Sequence, residues 1–320
     1  MLTVTSARPE NIIIFGASGF NRQFVVEEAQ SAEGPSGSLK CALAGQSRQW
    51  LEGVLNHASK SDAPYVLTEV AIFMADVSEA DSWAIMCQQG LVVLNCVGPF
   101  YNIRVVFPGE NATGPPQQSG VIGSCGFDSI PADMSILYTR DQFKKAESCT
   151  RCSSLPCREA VTWKSAIYGF AESGSLRKLR KKFDHQPLPI VGAKVKKRAS
   201  LFFSKQIVQH AISFIGSDPW VVRRFQRFLY EEESTLRCNT TTNLDPLDLP
   251  VSACIQLLNN PGHVATPVAM VQTAFTILNE PQFLPIKSLS LMTFPGAAFA
   301  RTTLINHLSR HGLVFSVKRF

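Results

Sequence analysis

No uninterrupted apolar run approaches the roughly 18 residues that a helix needs to cross a bilayer. The longest candidates, Ile207–Ile215 and Val251–Leu258, are short and carry polar residues. Residues 1–10 lack the apolar core of a secretory signal. The 9 cysteines cannot all pair, so free thiols in a reducing compartment are expected rather than a disulfide framework. The sequons at Asn111 and Asn239 then carry little weight, because glycosylation needs the secretory route. No internal repeat is visible. Charge is sparse, at 18% of residues against 45% hydrophobic, the balance of a globular chain with real cores. The 320 residues suffice for two domains.

Positive charge is confined to one region. Leu176 to Tyr230 holds 13 Lys or Arg against 2 Asp, while the remainder is net negative by 5. The core of this region, the 177–227 basic segment, contains Arg177–Lys182 and Lys194–Arg198, with Phe202, Phe203, Phe214 and Trp220 interleaved downstream. Three readings stand: a solvated face, an anionic membrane surface, or nucleic acid with bases stacked on the aromatics.

The first thirty residues carry the most information. Asn11 to Phe15 is an apolar run, Gly16-Ala17-Ser18-Gly19-Phe20 breaks it, and an amphipathic stretch follows from Gln23 to Gln30. Strand, glycine turn and helix open a dinucleotide-binding βαβ unit, with the pyrophosphate on the Gly16–Phe20 loop and the helix N-terminus. Arg22 occupies the position of the usual third glycine. The alternation continues: strand at Cys41–Gly45, helix at Arg48–His57 with Ser47 as its cap, strand at Val70–Ala75. A helix over Ser78–Gln89 capped by Ser78 and a strand at Leu91–Val97 follow. This rhythm predicts a parallel, doubly wound sheet of Rossmann type.

The rhythm stops at Gly98-Pro99. Phe107 to Ser119 has neither period, Gly120–Ser124 is strand-like, and Ala132 to about Thr139 reads as a helix. Later helices are expected at Val221–Tyr230, Pro267–Leu278 and Thr302–Arg310. The fold class is therefore α/β: a Rossmann-type parallel sheet with one strand–helix unit missing, over residues 1–140. A second α+β domain follows over 141–320, and Pro267–Leu278 is expected to pack back on the first domain.

Site candidates follow from position. No acid follows the second strand, where an NAD enzyme places one on the ribose 2′-hydroxyl; the residues are Gln46, Ser47 and Arg48. That pattern favours NADP over NAD, with Ser47 and Arg48 as phosphate contacts, against the plain reading of a solvent-facing helix start. Asp76, at the end of strand three, faces the adenine end or simply neighbours a helix cap. Asn95, Cys96 and Gly98, at the end of strand four, are candidate walls for ribose or nicotinamide, and Cys96 reads as a small buried residue rather than a nucleophile. Asp128, Ser129 and Asp133 suit a capped helix start with an early proline, or a substrate contact. Lys164 and Tyr168 lie four apart, in the reverse order of a Tyr-Lys relay. Cys149, Cys152 and Cys157, with His185 distant, do not complete a zinc set, so no metal is expected. No catalytic residue is assigned.

These residues carry a resemblance. Phe15–Phe20, Leu43–Gly45 with Ser47-Arg48, Val92–Pro99, Gly126–Asp133, Trp163–Phe170, Leu176–Arg180, Gly262–Pro267 and Phe294–Phe299 run in order along the whole chain. In these stretches the chain resembles the saccharopine dehydrogenase-like oxidoreductases. The resemblance implies a Rossmann domain, a second α/β domain and an NAD(P)-dependent oxidoreductase. It does not fix the substrate, which the name alone would make saccharopine and for which a lipid-linked compound of glycolipid metabolism is an equal candidate; it implies association with lipid droplets or the membrane periphery, with the cytoplasm as the alternative location. It favours an anionic membrane over nucleic acid for the basic segment. Against the family pattern, the chain is shortened between Gly98-Pro99 and Gly120, and is polar over Ser234–Asp248 where the family is apolar. It carries Arg22, and it has Gln46 where relatives have Arg. The alternative on the same scaffold is a catalytically inactive, membrane-associated or partner-binding protein.

Overall fold

Three consecutive isoleucines, Ile12–Ile14, are fully buried because their strand is covered on both faces. The computed structural model describes residues 10–17, 23–31, 40–58, 70–97, 120–126, 129–142, 167, 171, 201–204, 209–212, 218–233, 251–257, 264–285 and 293–319. Contacts divide the chain into two units: Met1–Ser119 with Gly262–Leu284, and Gly120–Pro261 with Pro285–Phe320. The sequence reading divides the chain at residue 140.

The first unit holds strands β1 (Glu10–Phe15), β2 (Cys41–Gly45), β3 (Ala71–Met74) and β4 (Gly90–Asn95). They form one parallel sheet in the order β3-β2-β1-β4. Helices α1 (Gln23–Ser31), α2 (Arg48–Ala58) and α3 (Ala80–Cys87) are the crossovers. Because side chains alternate along a strand, β1 feeds two cores. Ile12 and Ile14 pack with Val25 and Val26 of α1 and Leu51 of α2. Ile13 and Phe15 pack with Trp83 and Met86 of α3, the Phe15 and Trp83 rings meeting edge-on at 4.8 Å. Each fully buried residue of this size contributes about 1.5–3 kcal/mol of transfer free energy.

Helix α6 (Thr266–Asn279) belongs to this unit, although some 170 residues separate it from β4. Val271, Ala274 and Phe275 complete the core of the α1/α2 face, and the Gln272 amide donates to Glu28 of α1 at 3.3 Å.

One local expectation is corrected. Helix α3 starts at Ala80, with Glu79 rather than Ser78 as its N-cap. Ser78 is taken by Asp76: both its N–H (2.8 Å) and its hydroxyl (2.7 Å) donate to Asp76 Oδ1. An aspartate two residues upstream offers this turn as an alternative to helical capping.

The second unit contains helix α4 (Ile130–Gln142), the hairpin β5 (Leu201–Ser204) and β6 (Gln209–Ile212), and helix α5 (Asp218–Glu233). Strand β7 (Val251–Leu257) pairs antiparallel with β8 (Leu313–Arg319), in register from Val251 opposite Arg319 to Leu257 opposite Leu313. Short helices α7 (Pro295–Ala298) and α8 (Leu304–Arg310) precede β8. Helix α4 begins two residues before the expected Ala132, with Pro131 in its first turn, and α8 begins two after Thr302. Val222, Phe225 and Leu229, spaced three and four apart, form the buried stripe of α5. The strand-like run after Gly120 makes a single parallel bridge, Ile122 to Thr293.

Candidate functional site

In the order β3-β2-β1-β4 the chain works outward from β1 in one direction, then returns to β1's other side with β4. Open parallel sheets bind ligands outside the strands' carboxyl ends, at such a switch point. The residues there are Gly16 and Ala17 after β1, Gln46 and Ser47 after β2, Ala75 and Asp76 after β3, and Cys96 and Val97 after β4.

At the β1–β4 end the surface is built from backbone. Gly16 has φ +79°, a left-handed conformation that favours glycine. Its N–H donates to the Ala44 carbonyl at 2.7 Å, and the Cys96 N–H donates to the Phe15 carbonyl at 2.9 Å. A Cβ on Gly16 would stand 2.7 Å from Val97 Cγ2 and 3.3 Å from the Val97 nitrogen. Strand β4 closes with Asn95 Oδ1 accepting the Val97 N–H at 3.0 Å. Cys96 is half-buried, its thiol 3.8 Å from the Leu94 carbonyl. Ala17 is fully buried. Ser18, Gly19, Phe20, Arg22 and Gly98 lie outside the described residues.

At the β2–β3 end the surface is built from side chains. Ser47 stands immediately before α2, and its carbonyl accepts the Leu51 N–H at 3.2 Å. Arg48 is the first residue of α2 and is exposed; its guanidinium lies 4.0 Å from exposed Glu52 one turn on. The Ala75 N–H donates to the Gly45 carbonyl at 3.1 Å, which brings the Gln46 and Asp76 positions side by side. The Ser78 hydroxyl and N–H hold the Asp76 carboxyl below its ordinary pKa; slight burial opposes them, and the Gln46 side chain adds a further lowering hydrogen bond. Asp76 therefore stays ionised at neutral pH. The sequence reading missed the Gln46–Asp76 pair, because the β2–β3 register that creates it is not written locally.

Other candidates fall elsewhere. Ser129 and Asp133 lie in the second unit, at the start of α4, where the Ser129 carbonyl accepts the Asp133 N–H at 2.9 Å. The Asp133 carboxylate is fully buried and accepts the Gly296 N–H at 2.7 Å, tying α4 to α7. A Cβ on Gly296 would meet Asp133 Oδ2 at 2.8 Å and Phe225 Cγ at 2.7 Å, so this contact suits glycine. Asp128, Lys164, Tyr168, Cys149, Cys152, Cys157, His185 and the basic runs 177–182 and 194–198 lie outside the described residues. Among the described residues no group of three or more His, Cys, Asp or Glu is arranged to hold a metal. Cys41, Cys87, Cys96 and Cys125 are thiols outside any disulfide. Burial, and secondarily Glu10, pushes the Cys41 thiol up to about 12, which leaves it unreactive at neutral pH. No helix among the described residues is long and apolar enough to cross a membrane.

The chain is 36% identical to "Saccharopine dehydrogenase-like oxidoreductase" of Rattus norvegicus over 423 aligned positions, covering 98% of both chains. The protein of the same name in Homo sapiens is 34% identical with the same coverage. The alignments are longer than the 320 residues present, so more than a hundred positions of these relatives stand opposite internal gaps in this chain. "Lipid droplet localized protein" of Caenorhabditis elegans is 28% identical over 68% of this chain and 59% of its own length. No family model matches the chain, and no solved structure matches it.

Proposed function

We propose a function from one premise: the chain belongs to the saccharopine dehydrogenase-like oxidoreductase family. On that premise it is an NADP-dependent oxidoreductase acting on a lipid-linked substrate. The observation that carries the reading is the switch point itself. Gly16, at positive φ and packed so closely on Val97 that a Cβ would clash with it, makes the tight turn at the carboxyl end of β1 over which a pyrophosphate passes in sheets of this kind. The residues present fit a dinucleotide. When bound, a nicotinamide dinucleotide supplies a hydride donor or acceptor.

This chain's residues do the holding and the choosing. The backbone at Gly16 and Ala17 lets phosphate approach closely. The Asn95–Val97 turn walls the far side of the crevice. Ser47 offers a hydroxyl and Arg48 an exposed cation at the start of α2, where a 2′-phosphate sits in NADP enzymes. Gln46 supplies no negative charge to oppose that phosphate. Asp76 does carry charge, but Ser78 and Gln46 take up its hydrogen-bonding capacity. The name of the nematode relative gives a lipid-droplet location and no substrate; a lipid-linked substrate is the kind such a location would supply.

A second reading is favoured by one observation: the internal gaps against the curated relatives. On it the chain keeps the scaffold without catalysis and serves as a membrane-associated or partner-binding protein. Titration of the full chain with NADPH and NADH, read by nucleotide fluorescence, separates the two. The first reading expects NADPH to bind at least about tenfold more tightly, a difference of about 1.4 kcal/mol. Tighter NADH binding overturns the cofactor assignment. Failure of both nucleotides to bind overturns the oxidoreductase reading in favour of the second.

A further inference from the structure

Strand β4 stands at an edge of the parallel sheet, beside β1, and among the described residues no strand pairs with its other side. Its sequence is that of an interior strand. The run Gly90-Leu91-Val92-Val93-Leu94-Asn95 has neither charge nor proline, the near-continuous apolar pattern of a strand enclosed by neighbours. Its burial does not match. Leu91 is 40% exposed, and Val92 and Val93 are half-buried, whereas Ile12–Ile14 of β1 are fully buried.

The Cys96 N–H donates to the Phe15 carbonyl, so the main chain of Cys96 faces β1. Main-chain groups alternate sides along a strand. Leu94 and Val92 therefore face β1 as well, and Val93 and Asn95 turn their N–H and C=O groups outward. Native sheets blunt such edges with charges, prolines or very short strands. The opposite edge is blunted by length, since β3 has only 4 residues. Strand β4 has none of these devices. The shortening against the family pattern falls directly after it, between Gly98-Pro99 and Gly120. An interior strand has become an edge.

We propose that β4 is a self-association edge, at which two copies of this chain pair their β4 strands antiparallel across a two-fold axis. The direction follows from symmetry, because a strand related to its own copy by an axis perpendicular to the sheet runs opposite to it. The same axis keeps like faces of the two sheets together, so Leu91 and Val93 meet apolar residues of the copy. An edge without charge has nothing with which to repel its copy. Main-chain hydrogen bonds from Val93 and Asn95 carry the pairing, as in strand addition to an exposed sheet edge. One strand pair is a small interface, which makes the dimer reversible and its dissociation constant micromolar. The edge is independent of the cofactor reading.

The test follows the full chain over a concentration series by sedimentation velocity, with amide hydrogen exchange on the same samples. A monomer–dimer equilibrium is expected, and the Val93 and Asn95 amides should exchange more slowly as the dimer fills. Leu91→Lys puts a cation on an exposed edge residue and should raise the dissociation constant at least about tenfold. Its circular dichroism and melting temperature in dilute solution should stay unchanged, because that side chain already meets water. Val93→Pro removes an outward donor and should weaken the dimer similarly. Met74→Lys, on the other edge and 47% exposed, should leave it unchanged. A chain that stays monomeric throughout overturns the proposal, as does a dimer that Leu91→Lys does not weaken. Protection of β4 that is independent of concentration overturns it too, and assigns the edge to residues 98–119 of the same chain.

Discussion

At the β1–β4 end of the sheet the candidate surface is main chain: a glycine at positive φ, two short backbone hydrogen bonds and a valine against which no Cβ fits. At the β2–β3 end, the same edge of the same sheet is made of polar side chains, exposed Gln46 and Arg48 and half-buried Ser47 and Asp76. The first end is fixed by sterics and carries no side-chain charge. The second is adjustable, because its side chains bear on water and can be exchanged without disturbing the core. A dinucleotide site built this way separates the decision to bind from the choice of cofactor.

The sharpest way to break the comparison is Gly16→Ala. A left-handed conformation costs an alanine about 1–2 kcal/mol, and overpacking against Val97 adds about 1–3 kcal/mol. A loss of about 2–5 kcal/mol in chemical denaturation is expected, with nucleotide binding abolished. Adding Val97→Ala should recover the steric part and leave the conformational part. A Gly16→Ala chain with parental stability would show that the β1 turn is not the rigid end.

Arg48→Ala tests the adjustable end. It should weaken NADPH by about 1–3 kcal/mol, the range for hydrogen bonds to charged groups, and leave NADH and stability unchanged. Equal loss for both nucleotides would mean that Arg48 contributes general charge rather than choice.

Asp76→Asn should cost about 0.5–1 kcal/mol of stability at neutral pH, a figure held low because the carboxylate is largely solvated. The sign follows from the direction of the shift. A carboxyl with a depressed folded-state pKa adds stability that is present above the ordinary carboxylate range and lost as pH falls through the lowered value. The difference between parent and variant, followed by denaturation across the acid range, should therefore vanish at the acid end. A difference that grows on acidification would reverse the assignment.

The smallest effect is expected from Glu52→Gln. The Arg48–Glu52 contact is long, at 4.0 Å, and exposed on both sides. Its loss should change stability by less than about 0.5 kcal/mol and leave NADPH binding equal or slightly tighter. Weaker NADPH binding would show that Glu52 positions the guanidinium, which would make the second end less independent than its exposure implies.

Much of the first unit was legible because its signals are local. The β2 expectation coincides with the strand, and β1, β3 and β4 differ from theirs by one or two residues at their ends. The glycine turn and the missing acid after β2 can be read in single short windows. Ser78 shows where local reading fails, since a serine before a helix and a serine beside an aspartate look alike until the turn forms. Phe203 was readable only as one of the aromatics downstream of the lysines, and its exposure could not be read because it depends on what the fold leaves uncovered. The Gln46 contact with Asp76, just past β3, was not readable because only the β2–β3 register puts the two side by side.

By itself the sequence determined the parallel α/β order of residues 10 to 97, the backbone-built turn at Gly16 and the confinement of positive charge to one stretch. Each of these is a matter of periodicity, glycine conformation or composition within a few tens of residues. Tertiary structure decided which distant segments close the cores. The return of helix α6 to the first unit was expected, but not its Gln272–Glu28 contact across 244 residues; Asp133 holds Gly296 across 163, and β7 selects β8 as its partner. An apolar period shows that a face will be buried but not against what. Partner choice rests on shape, volume and satisfied hydrogen bonds, and these exist only once the chain has folded.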